Sequence, residues 1–312
     1  MLHFGDRLAQ AVQRCKTPAL VGIDPRLESL PAPLQPSDPN PSPDDVAQAY
    51  LAFSKGVIDV VAPLVPAVKP QSAFFEQIGS AGTHVLAEVI QYARMQGLLV
   101  IVDGKRNDIG STAAAYAQGY LGNATDFSGD CLTVSPYLGE DSLEPFTRLA
   151  TDLGNGIFVL VKTSNPGGGR FQDLIADGRA VYQHVAELVE QLASGSSGTE
   201  PHGYGAVGAV VGATYPDQLS ELRQAMPHAW LLVPGFGAQG GGAADVAGGF
   251  DAAGLGAIIN SSRGIIFAHA RDPYRDRFGN QQWQQAVEAA TRDMIAQLAA
   301  ETPAGVLQDA TG

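Results

Sequence analysis

Eight short apolar runs, separated by stretches with helical periodicity, constrain this chain more than any other feature. They lie near residues 19–23, 67–69, 98–103, 131–134, 157–162, 207–211, 230–233 and 257–260. Amphipathic patterns such as those over 46–61, 81–95, 174–192 and 215–225 fall between them. A strand that returns through a helix comes back parallel to its predecessor, and both faces of the resulting sheet need cover. Eight such units predict an α/β protein, a parallel (β/α)8 or TIM barrel, and 312 residues accommodate one of about 250 with additions. We expect one barrel domain over 1–312, with three peripheral segments and no repeat at solenoid periods. The proline-dense stretch 29–44 reads as a loop insertion, 194–205 as a flexible Ser/Gly-rich insertion, and 302–312 as a frayed tail.

Charge and cysteine usage exclude several function classes. The formal net charge is −13 and no basic block interrupts it, so a nucleic-acid backbone is not an expected partner. Cys15 and Cys131 stand alone, outside any C-x-x-C pair, which fits a reducing compartment. The opening residues lack an apolar core before a cleavage site, and no apolar run is long enough for a bilayer. A cytoplasmic protein with no membrane partner is the expectation.

The chemistry concentrates where the runs end. The segment LVIVDGKRNDIGST over 99–112 finishes an apolar strand in Asp103, Lys105 and Asp108. Alternation along a strand points Asp103 and Lys105 the same way. Carboxylates buried beside a lysine make sense only as a paired network, and such networks cluster at functional sites. The first run ends in Asp24-Pro25-Arg26, the second in Lys69-Pro70, and the fifth in Lys162-Thr163-Ser164-Asn165. Singly, each is an ordinary strand end; together the two acidic and two basic groups from three of them, Asp24, Lys69, Asp103 and Lys105, predict one charged site at the C-terminal rim of the barrel. Gly167–Gly169 with Arg170 reads equally as a flap or a solvated loop.

After the seventh run comes Pro234-Gly235-Phe236-Gly237-Ala238-Gln239-Gly240, formally a G-x-G-x-x-G. A dinucleotide fold would open with this motif, whereas here it follows six βα units. Placed before Ser262-Arg263-Gly264, it matches the phosphate cradle of a barrel better. An NADP-dependent oxidoreductase remains the alternative at this point. None of the six histidines has ligand spacing, no dedicated metal site is visible, and Trp230 and the Phe74–Phe75 pair read as core.

The set Asp24, Lys69, Asp103-x-Lys105-x-x-Asp108-Ile109-x-x-Thr112, Pro234-x-x-x-x-Gln239 and Arg263 resembles the orotidine 5′-phosphate decarboxylase family. With Val68-Lys69-Pro70-Gln71, Thr163-Ser164-Asn165-Pro166 and the chain's length, it is similar to the longer bacterial subgroup, type 2. The resemblance implies conversion of orotidine 5′-monophosphate to UMP and CO2 in pyrimidine biosynthesis, with no cofactor and no metal. It also implies a homodimer with shared sites. Lys69, Asp103 and Lys105 would come from one subunit, and Asp108, Ile109 and Thr112 from the other. Lys105 would protonate the carbanion. Asp24 and Lys69 would hold ribose hydroxyls, Ser164 would meet the pyrimidine edge, and Gln239 and Arg263 would grip the phosphate with N–H groups near Gly235 and Ser262. A metal-dependent sugar-phosphate decarboxylase that shares the central D-x-K-x-x-D element is the nearest rival.

Overall fold

In a computed structural model, which describes residues 2–197, 202–237 and 241–309, the chain closes into a parallel eight-stranded barrel. The strands are β1 (Ala19–Ile23), β2 (Ala67–Pro70), β3 (Leu99–Arg106), β4 (Cys131–Val134), β5 (Gly156–Lys162), β6 (Val207–Val211), β7 (Leu231–Pro234) and β8 (Ala257–Ser261). Each pairs with its sequence neighbours, and β8 closes on β1 through Ala19 opposite Ile259. Most strands are buried on both faces, so they appear as continuous Val/Ile/Leu runs rather than alternating ones.

A helix over Phe4–Cys15 closes the N-terminal end of the barrel. Its Phe4 ring meets Phe158 edge-on at 6.1 Å, Arg7 pairs with Asp130, and Trp230 Nε1 donates to Gly5 O at 3.0 Å. Trp230 and Phe75 are core as expected; Phe74 is half-buried beneath the Arg26 guanidinium, 4.9 Å from its ring centre. With the far end sealed this way, the strands' C-terminal ends are left for chemistry. Among the described residues no helix is long and apolar enough to cross a membrane.

The peripheral segments are more ordered than their composition suggested. Within 29–44 the chain makes a 3-10 turn at Ala32–Leu34, then Ser42 caps the helix Pro43–Val61 in a reciprocal box with Asp45. Residues 194–196 belong to the helix Val181–Ser196, where Ser196 Oγ accepts from Ala206 N, and Tyr204 is buried; 198–201 lie outside the described residues. The expected frayed tail is corrected over 302–309. Val306–Asp309 is helical, Ala304 and Leu307 are buried, and Gln308 exchanges hydrogen bonds with Lys16. Residues 310–312 are not described. A second correction concerns 174–192, where helix begins only at Val181. Ile175–Ala176 and Arg179–Ala180 form an antiparallel hairpin, turned by Asp177 (φ 49°) and Gly178 (φ 79°). Positive φ at both central residues is the geometry that an Asp-Gly pair favours.

Candidate active site

The parallel register sets β2 beside β3, with Val68 opposite Val100 and Gln71 level with Asp103. Asp103 is 7% exposed and Lys69 only 4%. Lys69 Nζ donates to Asp103 Oδ2 at 2.7 Å, and Lys105 Nζ to Oδ1 at 2.6 Å. Gln71 Nε2 adds a bond to Oδ2 at 3.0 Å, and Thr133 Oγ1 one to Oδ1 at 2.9 Å. Four donors on two oxygens leave the carboxylate little freedom to rotate. Sequence reasoning missed Thr133 and quoted Gln71 only as part of a motif without a role, because neutral side chains on separate segments carry no signal until register is known.

Asp103 and Lys105 do share a face, though not on regular strand. Lys105 has φ 46°, and the β3–β4 register shifts between Val102 and Arg106. A non-glycine residue there stores strain of about 1–3 kcal/mol, a mark that clusters at functional sites. The bond from Lys105 N to Thr133 Oγ1, 2.9 Å, holds it. One hydroxyl thus fixes both the backbone that carries the lysine and the carboxylate it meets.

Burial works against charge on Asp103, yet the adjacent Lys69 and Lys105 ammoniums outweigh it and hold its carboxyl well below the usual range. Lys69 is the mirror case. Desolvation would push it down, but Asp103 and then Asp24 raise it above an ordinary lysine. Asp103 and Lys69 both stay charged at neutral pH.

Two adjoining cavities share Lys69, Asp103 and Pro234. The larger, about 230 Å³, is lined by Leu160, Val210 and Leu232 with Thr163, Ser164 and Asn165 above them. The smaller, about 170 Å³, is bounded by Asp24, Gly235, Asn260, Ser262 and Arg263. Two buried acceptors in the smaller one, Asp24 Oδ1 and Asn260 Oδ1, have no donor among the described residues. Gly235 (φ 103°) and Gly237 (φ 73°) turn the chain after β7, and Gly237 N bonds Gly241 O across the neck of the loop. Gln239 lies outside the described residues. More capacious grooves lie between helices on the barrel's outside and gather no comparable chemistry.

The other expected residues sit apart within one chain. Asp108 accepts from its own Ile109 N at 2.9 Å, while Ile109 is 55% exposed and Thr112 is also exposed. Lys162, at the end of β5, lines neither cavity. Of the histidines only His269 is deeply buried, and burial pushes its imidazole pKa down; it lines neither cavity.

Fold and site together define a class: a (β/α)8-barrel enzyme with its chemistry at the C-terminal strand ends. Residues 52–274 match the family described as Orotidine 5′-phosphate decarboxylase / HUMPS. The chain belongs to that family. It is 57% identical over 302 residues to the orotidine 5′-phosphate decarboxylase of Rhodopirellula baltica, covering 96% of this chain and 99% of that one. The Deinococcus radiodurans protein of the same name is 44% identical over 269 residues, 86% and 91% of the two chains. Among solved structures, the Leishmania donovani OMP decarboxylase matches with TM-score 0.74 at 30% identity, across 99% and 100% of the two chains. A Streptomyces avermitilis crystal structure reaches 0.79 at 37% identity, across 96% of each.

Proposed function

We propose that this chain decarboxylates orotidine 5′-monophosphate to UMP and CO2 in the cytoplasm. The observation that carries the reading is a Lys69–Asp103–Lys105 array on the wall between an apolar cavity and a polar one. A pyrimidine ring fits the apolar side. Ribose hydroxyls supply the donors that Asp24 and Asn260 lack, and Arg263 with N–H groups near Gly235 and Ser262 receives the phosphate.

The chemistry follows from charge. Breaking the C6–carboxylate bond leaves its electron pair in the ring plane, where no π-system delocalises it. The Lys105 ammonium stands beside that pair, stabilises it as it forms, and gives C6 the proton that completes UMP. Asp103 orients both lysines, and its negative charge faces the carboxylate that must leave. The barrier reduction required is on the order of 20 kcal/mol, beyond what one ammonium supplies. Binding of the remote phosphate contributes the rest.

A homodimer belongs to the same proposal. Lys105 is bonded to Asp103 on one side, yet its side chain is 46% exposed. The Asp108, Ile109 and Thr112 of a second copy would cover it, giving each lysine carboxylate neighbours. The test follows loss of orotidine 5′-monophosphate absorbance with purified protein, with and without EDTA. Turnover that survives the chelator, and falls by several orders of magnitude in a folded Lys105→Ala variant, supports the proposal. Near-normal kcat in that variant removes Lys105 from the chemistry, and loss of activity in EDTA favours a metal-dependent sugar-phosphate lyase.

A further inference from the structure

We propose that Lys162 is a positioning residue for the wall that meets the ligand's ring, acting through a buried ammonium that never touches the ligand. The inference rests on the site reading above. Leu160 lines the apolar cavity, and plain alternation would bring Lys162 into it as well. The β5–β6 register breaks between Leu160 and Lys162, and the lysine turns to the outside of the barrel. There its side chain is 2% exposed, ion-paired with Asp173, and its Nζ lies 5.3 Å from the Tyr182 ring centre and 5.1 Å from that of Tyr215.

An ammonium buried this deeply is held only when its surroundings replace water. Here a carboxylate and two aromatic faces do so. The three partners come from three segments. Asp173 follows the short helix Gly169–Gln172 after β5, Tyr182 lies in the first turn of Val181–Ser196, and Tyr215 precedes the helix Pro216–Ala225 after β6. One cation therefore gathers the connections that leave two adjacent strands.

That gathering reaches the cavity by a short route. Next to Asp173, the Gln172 amide clamps Thr163 twice: Oε1 accepts from Thr163 N at 3.1 Å and Nε2 donates to Thr163 Oγ1 at 2.8 Å. Thr163, Ser164 and Asn165 form the polar edge of the apolar cavity. From the β6 side Gly212 presses on the same edge, since a Cβ there would stand 2.8 Å from Ser164 N and Cβ. The edge is thus held between two segments that Lys162 joins. A loosened anchor frees the edge that reads the ring and leaves the Arg263 compartment, across the barrel, as it was.

Equilibrium binding of UMP and of ribose 5-phosphate separates this role from a merely structural one. Asp173→Asn is the first variant, because Asp173 is half-exposed and its replacement opens no cavity; Lys162→Met and Lys162→Arg follow. Asp173→Asn and Lys162→Met should weaken UMP about tenfold while leaving ribose 5-phosphate within about twofold, with Lys162→Arg recovering part of the loss. Equal weakening of both ligands, or unchanged UMP affinity in folded Asp173→Asn and Lys162→Met, overturns the proposal. Wild-type protein that binds neither ligand overturns the site reading and this inference with it; wild-type binding with unaltered variants overturns the anchor alone.

Discussion

Asp103 organises the site because, among the described residues, it is the carboxylate that both lysines reach. Its depressed pKa adds stability that is complete above the ordinary carboxylate value of 3.8 and is lost as pH falls through its own lower value. Lys69 has the opposite sign. Its contribution is complete below 10.5 and is lost only as pH rises through its raised value. Asp103→Asn leaves buried Lys69 without the carboxylate it is bonded to, with only Asp24 remaining, and a broken buried pair costs about 3–5 kcal/mol. Denaturant midpoints should therefore show a gap between wild type and variant that is flat near neutrality and narrows below pH 3.8. A gap that widens in acid would contradict this account. At this scale, spacing alone made Asp103 and Lys105 legible, since two residues apart on a strand means one face. The same rule would misplace Lys162, where a register break that no local pattern records interrupts the alternation.

Elements were legible where burial is two-sided. The sequence-derived bounds of β1, β4 and β6 coincide with those observed, because each is an apolar run ended by polar or glycine residues. The helix expected from 174 was not, since the Asp177-Gly178 turn divides that stretch and outranks its apolar periodicity. Element packing also carries a prediction for the polar cavity. Gly22 of β1 lies against the loop after β8 so closely that a Cβ would sit 1.9 Å from Ser262 Oγ and 3.1 Å from Asn260 Oδ1. Gly22→Ala must displace Ser262, beside the Arg263 that is assigned the phosphate. Overpacking of this kind costs about 1–3 kcal/mol in stability, so the variant should still fold. Its kcat/KM for the nucleotide should fall about tenfold or more, with the loss mainly in KM. Unchanged KM would place the phosphate away from Ser262.

The whole barrel places floor and rim at opposite ends, and only the rim looks unfinished in a single chain. The helix Phe4–Cys15 and the Arg7–Asp130 pair complete the floor. At the rim, the connections and helix that follow β3 and β4 expose Ile109, Tyr116, Tyr137 and Leu138, the third of them 82% exposed. Apolar exposure concentrated beside a site is the usual mark of an interface. No local pattern in the sequence specifies that surface, because it depends on which loops the closed barrel brings together. If a second copy supplies Asp108 to the Lys105 of the first, two inactive variants should repair one another. In a hybrid of Lys105→Ala with Asp108→Asn, one of the two sites draws its lysine from the Asp108→Asn chain and its aspartate from the Lys105→Ala chain, so it is intact. Random exchange makes half of the dimers hybrid, and equal mixtures should recover about a quarter of wild-type turnover. Mixing the two proteins after mild dissociation and assaying against each alone measures it. A mixture no more active than the sum of its parts would mean that each barrel completes its own site.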